Sequence, residues 1–402
     1  MRRRAFVRLA GVSALALGPI RLWAIAAGVT GTKFVLVLLR GGYDAGSLLV
    51  PYNSAFYYES RPNIAIPRPS SGGADAALAL DSYWGLHPAL NDSVYPLYQQ
   101  QQALFVPYAG SQDQSRSHFH AQDIVELGQG YGARLDYGSG FLNRLVEVLG
   151  RGGGPGGISF TDNLPLAFKG NAPVANLALK GDAKNPFNKR ETELLEKMYQ
   201  GTNLAHDVHE GLETRRHVSE ELQQEMVESA RGAVNAKGFE QEARKMARLM
   251  RDNPSYAVGF VDVGGWDTHV HQGAARGALS DRLRSLGEGL AGFAQDMGPA
   301  WHDTVVVVLS EFGRTFRENG DRGTDHGHGS VIWVLGGGVA GGHMAGEQIG
   351  VSADSLFQNR DFTVLNEYRS LVGYVVGRLY ALNSSDIGHI FPGATAGRYS
   401  FL

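Results

Sequence analysis

Four short clusters of acidic, histidine, serine and arginine side chains carry the residue types that could do chemistry. The densest is Asp267-Thr-His269-Val-His271, which places carboxylate and imidazole groups within five residues. Such groups are ligands of Zn²⁺ and Mn²⁺. Asp267 can point the same way as His269 in an extended chain, or the same way as His271 in a helical turn. A divalent metal site is the chemistry that this spacing favours.

Three further clusters supply more candidate ligands together with candidate nucleophiles. They are Arg40-Gly-Gly-Tyr-Asp44, Ser115-Arg-Ser-His118, and a two-part cluster formed by Ser310-Glu-Phe-Gly-Arg314 and Thr324-Asp-His-Gly-His328. The candidate metal ligands are therefore Asp44, Asp267, His269, Glu311, Asp325, His326 and His328, with His118 and His271 in reserve. The candidate catalytic residues are Ser115, Ser117, Arg116 and Arg314.

These residue types point to hydrolysis of an anionic ester. Seven carboxylate and imidazole ligands would suffice for a centre of two bridged ions. Such a centre activates a hydroxyl or water against phosphorus or sulfur, while Arg116 and Arg314 would neutralise the other oxygens of the anion.

Each cluster also has an ordinary structural explanation. Asp44 would be a helix N-cap or turn residue, and the serines an N-cap beside surface histidines. The glycine-flanked histidines at 326 and 328 would belong to a surface turn. Because the clusters lie next to predicted strands, we favour the metal site.

Five apolar runs predict buried strands, at Phe34–Leu39, Leu104–Tyr108, Tyr256–Val263, Thr304–Leu309 and Val331–Leu335. Helical patterns lie between them, at Pro88–Gln102, Ala121–Gly128, Gly138–Leu149, Ala275–Met297 and Thr363–Leu382. Strands that alternate with helices predict a three-layer α/β sandwich with a mostly parallel central sheet. Since ligands of such sheets bind beyond the carboxyl ends of the strands, we expect the clusters to meet at one edge.

The segment 187–252 differs in composition from the rest of the chain, because 24 of its 66 residues are charged. Phe239, Ala243, Met246 and Met250 fall on one face of a helix there. We interpret the segment as a charged helical insertion beside the sheet, within an α/β domain that spans residues 27–402. A separately folding domain is the alternative.

The composition excludes several classes of site. The 402 residues contain no cysteine, so disulfides, zinc–thiolate sites, iron–sulfur clusters and cysteine nucleophiles are all excluded. Residues 1–26 combine Arg2-Arg-Arg4, an apolar run too short to span a bilayer, and Ala24-Ile-Ala26. This is the pattern of a cleavable twin-arginine signal, with a buried N-terminal helix as the alternative.

Cleavage of that signal would change the net charge from −3 to −8, with 32 basic and 40 acidic residues left. Such a chain lacks the basic surface that nucleic acid or anionic lipid requires. We therefore expect a periplasmic or secreted protein with no nucleic-acid partner and no stable membrane insertion after cleavage.

Five motifs, in this order, resemble the bacterial domain-of-unknown-function 1501 family, whose members typically carry a twin-arginine signal. They are Arg40-Gly-Gly-x-Asp44, Ser115-Arg-Ser-His-Phe119, Gly265-Trp-Asp-Thr-His269, Ser310-Glu-Phe-Gly-Arg-Thr315 and Thr324-Asp-His-Gly-His-Gly-Ser330. The resemblance covers the chain from about Phe34 to Leu382. It implies a fold similar to the alkaline phosphatase and sulfatase superfamily, but no substrate.

The resemblance also implies roles for single residues. Asp44 matches a metal-bridging aspartate after the first strand, and Ser117 or Ser115 lies near the place of the nucleophile. Further positions resemble metal ligands, namely Asp267 with His269 or His271, and His326 or His328. Glu311 departs from the pattern, because many relatives have Asp-His there. The departure implies that a second metal site is weaker, prefers Mn²⁺ or Mg²⁺, or is absent.

The sequence thus predicts an exported hydrolase of phosphate or related sulfate esters that uses one or two Zn, Mn or Mg ions. Its nucleophile would be a serine or a metal-bound water, and its partner a small anionic ester. A formylglycine sulfatase is disfavoured, because there is no cysteine and no serine followed by Pro at +2 and Arg at +4. The alternative is a non-catalytic metal-binding periplasmic scaffold that binds a protein partner through the segment 187–252.

Overall fold

The computed structural model describes residues 31–132, 134–151, 156–178 and 230–402. Two predicted features lie outside these residues: the signal at 1–26, and the part of the charged insertion that precedes Ala230. Within the described ranges, no helix is both long enough and apolar enough to cross a membrane.

Nine strands form the central sheet of the described residues. They are β1 (Lys33–Leu39), β2 (Ala103–Gly110), β3 (Gly156–Ser159), β4 (Val174–Asn176), β5 (Val234–Asn235), β6 (Tyr256–Gly264), β7 (Thr304–Ser310), β8 (Ser330–Leu335) and β9 (Asn366–Glu367). Every residue of β1, β2, β7 and β8 is buried, which explains their continuous apolar sequences. The five predicted strands are confirmed, with bounds that differ by one or two residues. Three two-residue strands, Leu49–Val50, Leu78–Ala79 and Gly85–Leu86, form a separate small sheet.

The strand order of the central sheet is β9-β2-β8-β7-β1-β6-β3-β4, and β5 pairs with β6. β1 is parallel to both of its neighbours, β6 and β7. β8 is antiparallel to its neighbours β7 and β2. All other pairs in this sheet are parallel, so the predicted, mostly parallel sheet is confirmed.

The reversed direction of β8 decides where the loop before it lies. The carboxyl ends of β1, β2, β6 and β7 meet at one edge of the sheet, and the first residue of β8 lies at the same edge. Beyond that edge the pairing continues, because Arg314 bridges His326 in an antiparallel arrangement. A parallel β8 would have placed the residues before Ser330 at the opposite edge, away from the other clusters.

The α-helices within the described ranges are α1 (Ala45–Leu48), α2 (Ala55–Ser60), α3 (Val94–Gln99), α4 (His118–Leu127), α5 (Phe141–Gly150), α6 (Phe239–Asp252), α7 (Ala278–Met297), α8 (Tyr368–Leu379) and α9 (Ser384–Ile390). The helix predicted over Pro88–Gln102 was wrong in extent. It is divided into a 3-10 turn at Pro88–Leu90 and the short α3. Proline lacks the N–H that a helix interior needs, so a helix containing Pro96 can begin only shortly before it.

Two cores lie on opposite faces of the sheet, because alternate residues of each strand point to opposite sides. Phe34 and Leu36 of β1 pack in the core with residues of α5, α8 and α9, whereas Val35 and Val37 pack with residues of α6 and α7. The buried face of α6 contains the four apolar residues that the sequence pattern places there, Phe239, Ala243, Met246 and Met250. The architecture is a three-layer α/β sandwich.

Candidate metal centre

Three segments at the carboxyl edge bring two histidines and an aspartate together. His118 is the first residue of α4, Asp267 follows β6, and His326 lies in the loop before β8. Gly41, after β1, has a φ of +119°, and a Cβ atom there would lie 2.7 Å from the main-chain nitrogen of Asp267. Glycine at this position therefore allows the segment that carries Asp267 to approach the end of β1.

His118, Asp267 and His326 each offer one ligand atom, and these atoms lie within 4.8 Å of one another. The Nε2 atoms of the two histidines are 3.0 Å apart. Asp267 Oδ1 is 3.4 Å from His326 Nε2, and Asp267 Oδ2 is 3.6 Å from His118 Nε2. Ligands at about 2.0–2.1 Å from tetrahedral Zn²⁺ lie about 3.3 Å from one another, so this spacing fits a single ion.

The other nitrogen of each of these two rings is bound to an oxygen. His118 Nδ1 is 2.8 Å from Glu311 Oε1, and His326 Nδ1 is 3.1 Å from the main-chain oxygen of Arg116. Because both oxygens only accept, they assign the proton of each neutral ring to Nδ1 and leave a lone pair on Nε2. Asp267 Oδ2 is buried and has no hydrogen-bond partner among the residues that the structure describes. The donor atoms therefore fit a cation.

His269 lies beside this group rather than within it. Its Nε2 is 2.9 Å from Asp267 Oδ1 and 3.0 Å from His326 Nε2. Its Nδ1 is 3.3 Å from Oδ1 of Asp325, another predicted ligand, which here serves as an acceptor for His269. A carboxylate at each ring nitrogen places His269 to hold or transfer a proton next to the centre.

The electrostatics of the group favour a positive charge at its middle. Burial alone would lower the pKa of His118, but the neighbouring carboxylates of Asp267 and Glu311 raise it to about 9. Burial opposes ionisation of Asp267, yet Arg314 and the neighbouring histidines hold its pKa below the usual range. Burial and the positive charges nearby lower the pKa of His326. Without an ion, a proton on His118 balances the carboxylates, and a bound cation would replace it.

Arg314 connects the segments that form the centre through several hydrogen bonds. Its guanidinium donates to the main-chain oxygens of Gly41, Gly42 and Thr324, to Asp267 Oδ1, and lies 3.3 Å from His269 Nε2. Arginine has five N–H donors, and four of them donate to oxygens of the protein. The predicted role of Arg314 in binding the anion stays a prediction, and most of its donors are engaged by the protein.

Glu311, a predicted ligand, is placed one step behind the centre. Its Oε1 accepts from Gly41 N, His118 Nδ1 and Gln122 Nε2, at 2.8, 2.8 and 3.0 Å. Its Oε2 accepts from Ser310 Oγ at 2.8 Å. Burial opposes its ionisation, but the hydrogen bond and charge of His118 lower the pKa of Glu311 to about 2. Because its oxygens are engaged in this way, Glu311 holds the Nδ1 side of His118 and lies behind the group of His118, Asp267 and His326.

Asp44 does not join the group either. It is fully buried, and its carboxylate is paired with both terminal nitrogens of Arg61, at 2.5 and 2.9 Å. Gly46 N, Ser47 Oγ and Gln272 Nε2 also donate to it, and it is the N-cap of α1. The predicted bridging ligand is thus the counter-ion of a buried arginine, which matches the alternative explanation of an N-cap.

His328 is also separate from the centre. It is buried against Phe357, and its Nδ1 is 2.9 Å from the main-chain oxygen of Asp113. One residue, Gly327, separates it from His326, so in an extended segment before β8 both side chains would share a side. The bridge between Arg314 and His326 and the start of β8 interrupt that alternation, and only His326 contacts His118. His271, held in reserve in the sequence analysis, is exposed.

The two candidate serines differ in what they contact. Ser115 Oγ donates to Asp113 Oδ2 at 2.6 Å, so it stabilises its own turn. Ser117 is the N-cap of α4, is exposed, and makes no capping bond through its side chain. The guanidinium of Arg116 pairs with Asp361 at 2.7 Å, whereas its main-chain oxygen contacts Nδ1 of His326.

Several residues of this site carried no signal in the sequence analysis. Arg61 lies 17 residues from its partner Asp44, and it belongs to none of the sequence motifs. Gln272, which links Asp44 to Thr268 and Thr324, is equally inconspicuous. Gln122 follows His118 by four residues and shares its face of α4, but the helix predicted at Ala121–Gly128 began after His118, so no sequence pattern paired the two residues.

Fold and site together define a class: an α/β sandwich with a histidine–carboxylate cluster beyond the carboxyl ends of its central strands. Within that class the chain belongs to the family described as Protein of unknown function (DUF1501), whose model matches residues 32–391. The resemblance seen in the five sequence motifs is confirmed. No curated protein matches the chain.

Several solved structures are similar to the chain. One is a protein in the alkaline phosphatase superfamily from Vibrio parahaemolyticus, with 9% identity over 76% of this chain and a TM-score of 0.35. The chain spans only 60% of that protein. The lipoteichoic acid synthase LtaP from Listeria monocytogenes has 9% identity over 92% of this chain and 75% of its own, with a TM-score of 0.37. A 2-O GAG sulfatase has 10% identity over 88% of this chain and 71% of its own, with a TM-score of 0.34.

Proposed function

We propose that the chain is a metal-dependent hydrolase of phosphate or related sulfate esters, with one divalent ion held by His118, Asp267 and His326. The observation that carries the proposal is the convergence of two imidazole Nε2 atoms and a carboxylate within 4.8 Å, with both Nδ1 atoms bound to oxygens. Three protein ligands leave a coordination position open, as in catalytic zinc sites, whereas structural sites are closed by four.

The residues around the ion would bind and orient the ester. When bound, a divalent ion supplies Lewis-acid polarisation of the ester oxygen and lowers the pKa of water. The first N–H groups of α4 carry partial positive charge at this edge and favour an anion. Ser117 places an exposed hydroxyl one residue before His118, which makes it the better nucleophile candidate of the two serines. His269, with Nε2 beside Asp267, would give a proton to the leaving group.

A second candidate function is a non-catalytic, metal-binding scaffold. The observation that favours it is that both arginines predicted to bind the anion are engaged by the protein: Arg314 by main-chain oxygens and Asp267, and Arg116 by Asp361. In that case the ion would stabilise the carboxyl edge, and the charged segment at 187–252 would bind a partner protein.

The test begins with the number of ions per chain after reconstitution of residues 27–402 with Zn²⁺, Mn²⁺ or Mg²⁺, measured by elemental analysis. We expect one ion per chain, loss of that ion in His326→Ala, and retention in His271→Ala, whose side chain is exposed in a neighbouring loop. The loaded protein is then assayed on phosphomonoesters, phosphodiesters and sulfate esters. An ion without hydrolysis of any of these substrates supports the scaffold, and absence of an ion refutes both functions.

We also propose that the protein acts outside the cytoplasm, in the periplasm or after secretion. The support is the twin-arginine pattern of residues 1–26. A substrate would then be an extracytoplasmic anionic ester.

A further inference from the structure

We propose that Gln122 is a positioning residue of the metal centre: its amide joins Arg40 to Glu311 and thereby sets the direction in which His118 presents Nε2. The inference rests on the proposed function, because it concerns the geometry of the proposed ligand His118. Gln122 is fully buried, and its amide contacts Arg40 and Glu311. It would act through Glu311.

One face of α4 carries the three polar residues of this arrangement. His118, Gln122 and Glu126 are spaced by four, so they follow one another along a single side of the helix. All three are buried. His118 and Gln122 both bond to Glu311, and Gln122 and Glu126 both bond to Arg40. The helix is thus attached to the sheet edge at two residues, Arg40 and Glu311, and Gln122 contacts both of them.

Arg40 fixes the orientation of the amide. It donates to Asp262 Oδ2 at 2.6 Å, to Glu126 Oε1 at 2.9 Å and to Gln122 Oε1 at 2.8 Å. A guanidinium can only donate, so the oxygen of the amide must face Arg40. The nitrogen then faces Glu311, which as a carboxylate can only accept. Glutamine is suited to this position because its amide offers an acceptor to the guanidinium of Arg40 and a donor to the carboxylate of Glu311.

The amide in turn limits the freedom of Glu311. Three donors converge on Glu311 Oε1, from Gly41, His118 and Gln122. The Gly41 donor belongs to the strand side and the other two to α4. Without the Gln122 donor, α4 would hold Glu311 through the contact from His118, so the carboxylate is held less firmly as the acceptor for Nδ1–H of His118. Changes of this kind behind a metal-binding histidine typically weaken metal binding about 10–100-fold.

The experiment compares Gln122→Met with a matched variant, Gln129→Met. Gln129 is also buried and has its amide bonded at both ends, but to the main chain of Asp136, away from the centre. Zn²⁺ affinity is measured by competition with a chelator, and the geometry around the ion by the visible absorption spectrum after Co²⁺ loading. The melting temperature of the ion-free proteins reports purely structural damage.

We expect both variants to lower the melting temperature, but only Gln122→Met to weaken Zn²⁺ binding by about 10–100-fold and to change the Co²⁺ spectrum. Equal Zn²⁺ affinity of wild type and Gln122→Met would overturn the inference and leave the proposed function intact. Failure of the wild type to bind Zn²⁺, Mn²⁺ or Mg²⁺ would instead refute the proposed function.

A second variant keeps the inference testable if Gln122→Met does not fold. Gln122→Glu retains length and the acceptor toward Arg40 but removes the donor toward Glu311. It is expected to weaken Zn²⁺ binding as well, since two carboxylates then face each other behind His118. Wild-type affinity in this variant would show that the donor to Glu311 has no influence on the centre, which overturns the inference.

Discussion

Replacing Asp44 by asparagine removes the charge of a carboxylate that five donors surround. Two of these donors belong to Arg61, and the others are Gly46 N, Ser47 Oγ and Gln272 Nε2. Motif comparison predicts a metal ligand at this position, whereas the structure shows a counter-ion. The two roles predict different results for the same variant. A counter-ion should affect stability and leave the ion in place, and a ligand should affect the ion.

The size of the stability effect follows from the burial of the pair. Both side chains are excluded from solvent, with Arg61 0% exposed and Asp44 1% exposed. Removing one partner of a buried pair leaves the other charge uncompensated, which costs about 3–5 kcal/mol. The asparagine also places an NH₂ group, itself a donor, next to donors from which the carboxylate had accepted hydrogen bonds. Since a domain is stable by only about 5–15 kcal/mol, we expect a large decrease in the free energy of unfolding.

The pH dependence of the effect has a definite sign. Burial alone would raise the pKa of Asp44, but the charge and hydrogen bonds of Arg61 lower it below its ordinary value. A lowered folded pKa contributes stability above the unfolded value of about 3.9, and that contribution is lost as pH falls through the folded value. The difference between wild type and Asp44→Asn should therefore be large at pH 7 and shrink in acid.

The assay is urea unfolding followed by circular dichroism, with metal content measured on the same samples. The matched control is Asp75→Asn, since Asp75 pairs with Arg276 at a similar distance of 2.9 Å but at the surface. An exposed pair contributes about 0.2–1 kcal/mol, so this variant should change little. Loss of the ion in Asp44→Asn with unchanged unfolding would refute the reasoning and restore Asp44 as a ligand.

Three further predictions concern the centre, a buried histidine and export. Glu311→Gln is expected to weaken Zn²⁺ binding about 10–100-fold in chelator competition, and His328→Gln to leave it unchanged, because His328 bonds away from the centre. Burial lowers the pKa of His87 to about 4, and both of its ring nitrogens bond main-chain groups. Its unfolded value is about 6.5, so the free energy of unfolding should fall by about 3 kcal/mol from pH 6.5 to 4, and His87→Gln should flatten that part of the profile. Replacing Arg3 and Arg4 by lysine is expected to stop export of a reporter fused to residues 1–26, and continued export would refute the twin-arginine route.

The strands of the sheet were predictable because burial on both faces requires an uninterrupted apolar sequence within each strand. β1 and β7 are uninterrupted runs of aliphatic and β-branched residues, and such runs are readable without knowledge of their neighbours. The apolar face of α6 is readable in the same way, from the period of the helix. The edge at which polar clusters emerge follows from the alternation of strands and helices.

The composition of the centre was only partly predictable. Asp267 and His326 stood out as candidates by residue type and spacing, and His118 only as a reserve. Sequence proximity alone could not separate His118 from His328, because both lie in polar segments next to strands. Tertiary contacts separate the two histidines: His118 contacts Glu311, 193 residues away, whereas His328 contacts the main-chain oxygen of Asp113.

The amino-acid sequence by itself determined the class of fold, the family and the residue types gathered at one edge, because periodicity and motif order are local properties of a chain. Tertiary structure alone decided that β8 is reversed and returns His326 to that edge. It also decided that Arg61, not an ion, neutralises Asp44, and that Glu311 faces a histidine. The physical reason is that the charge and direction of a buried partner depend on residues far apart in sequence.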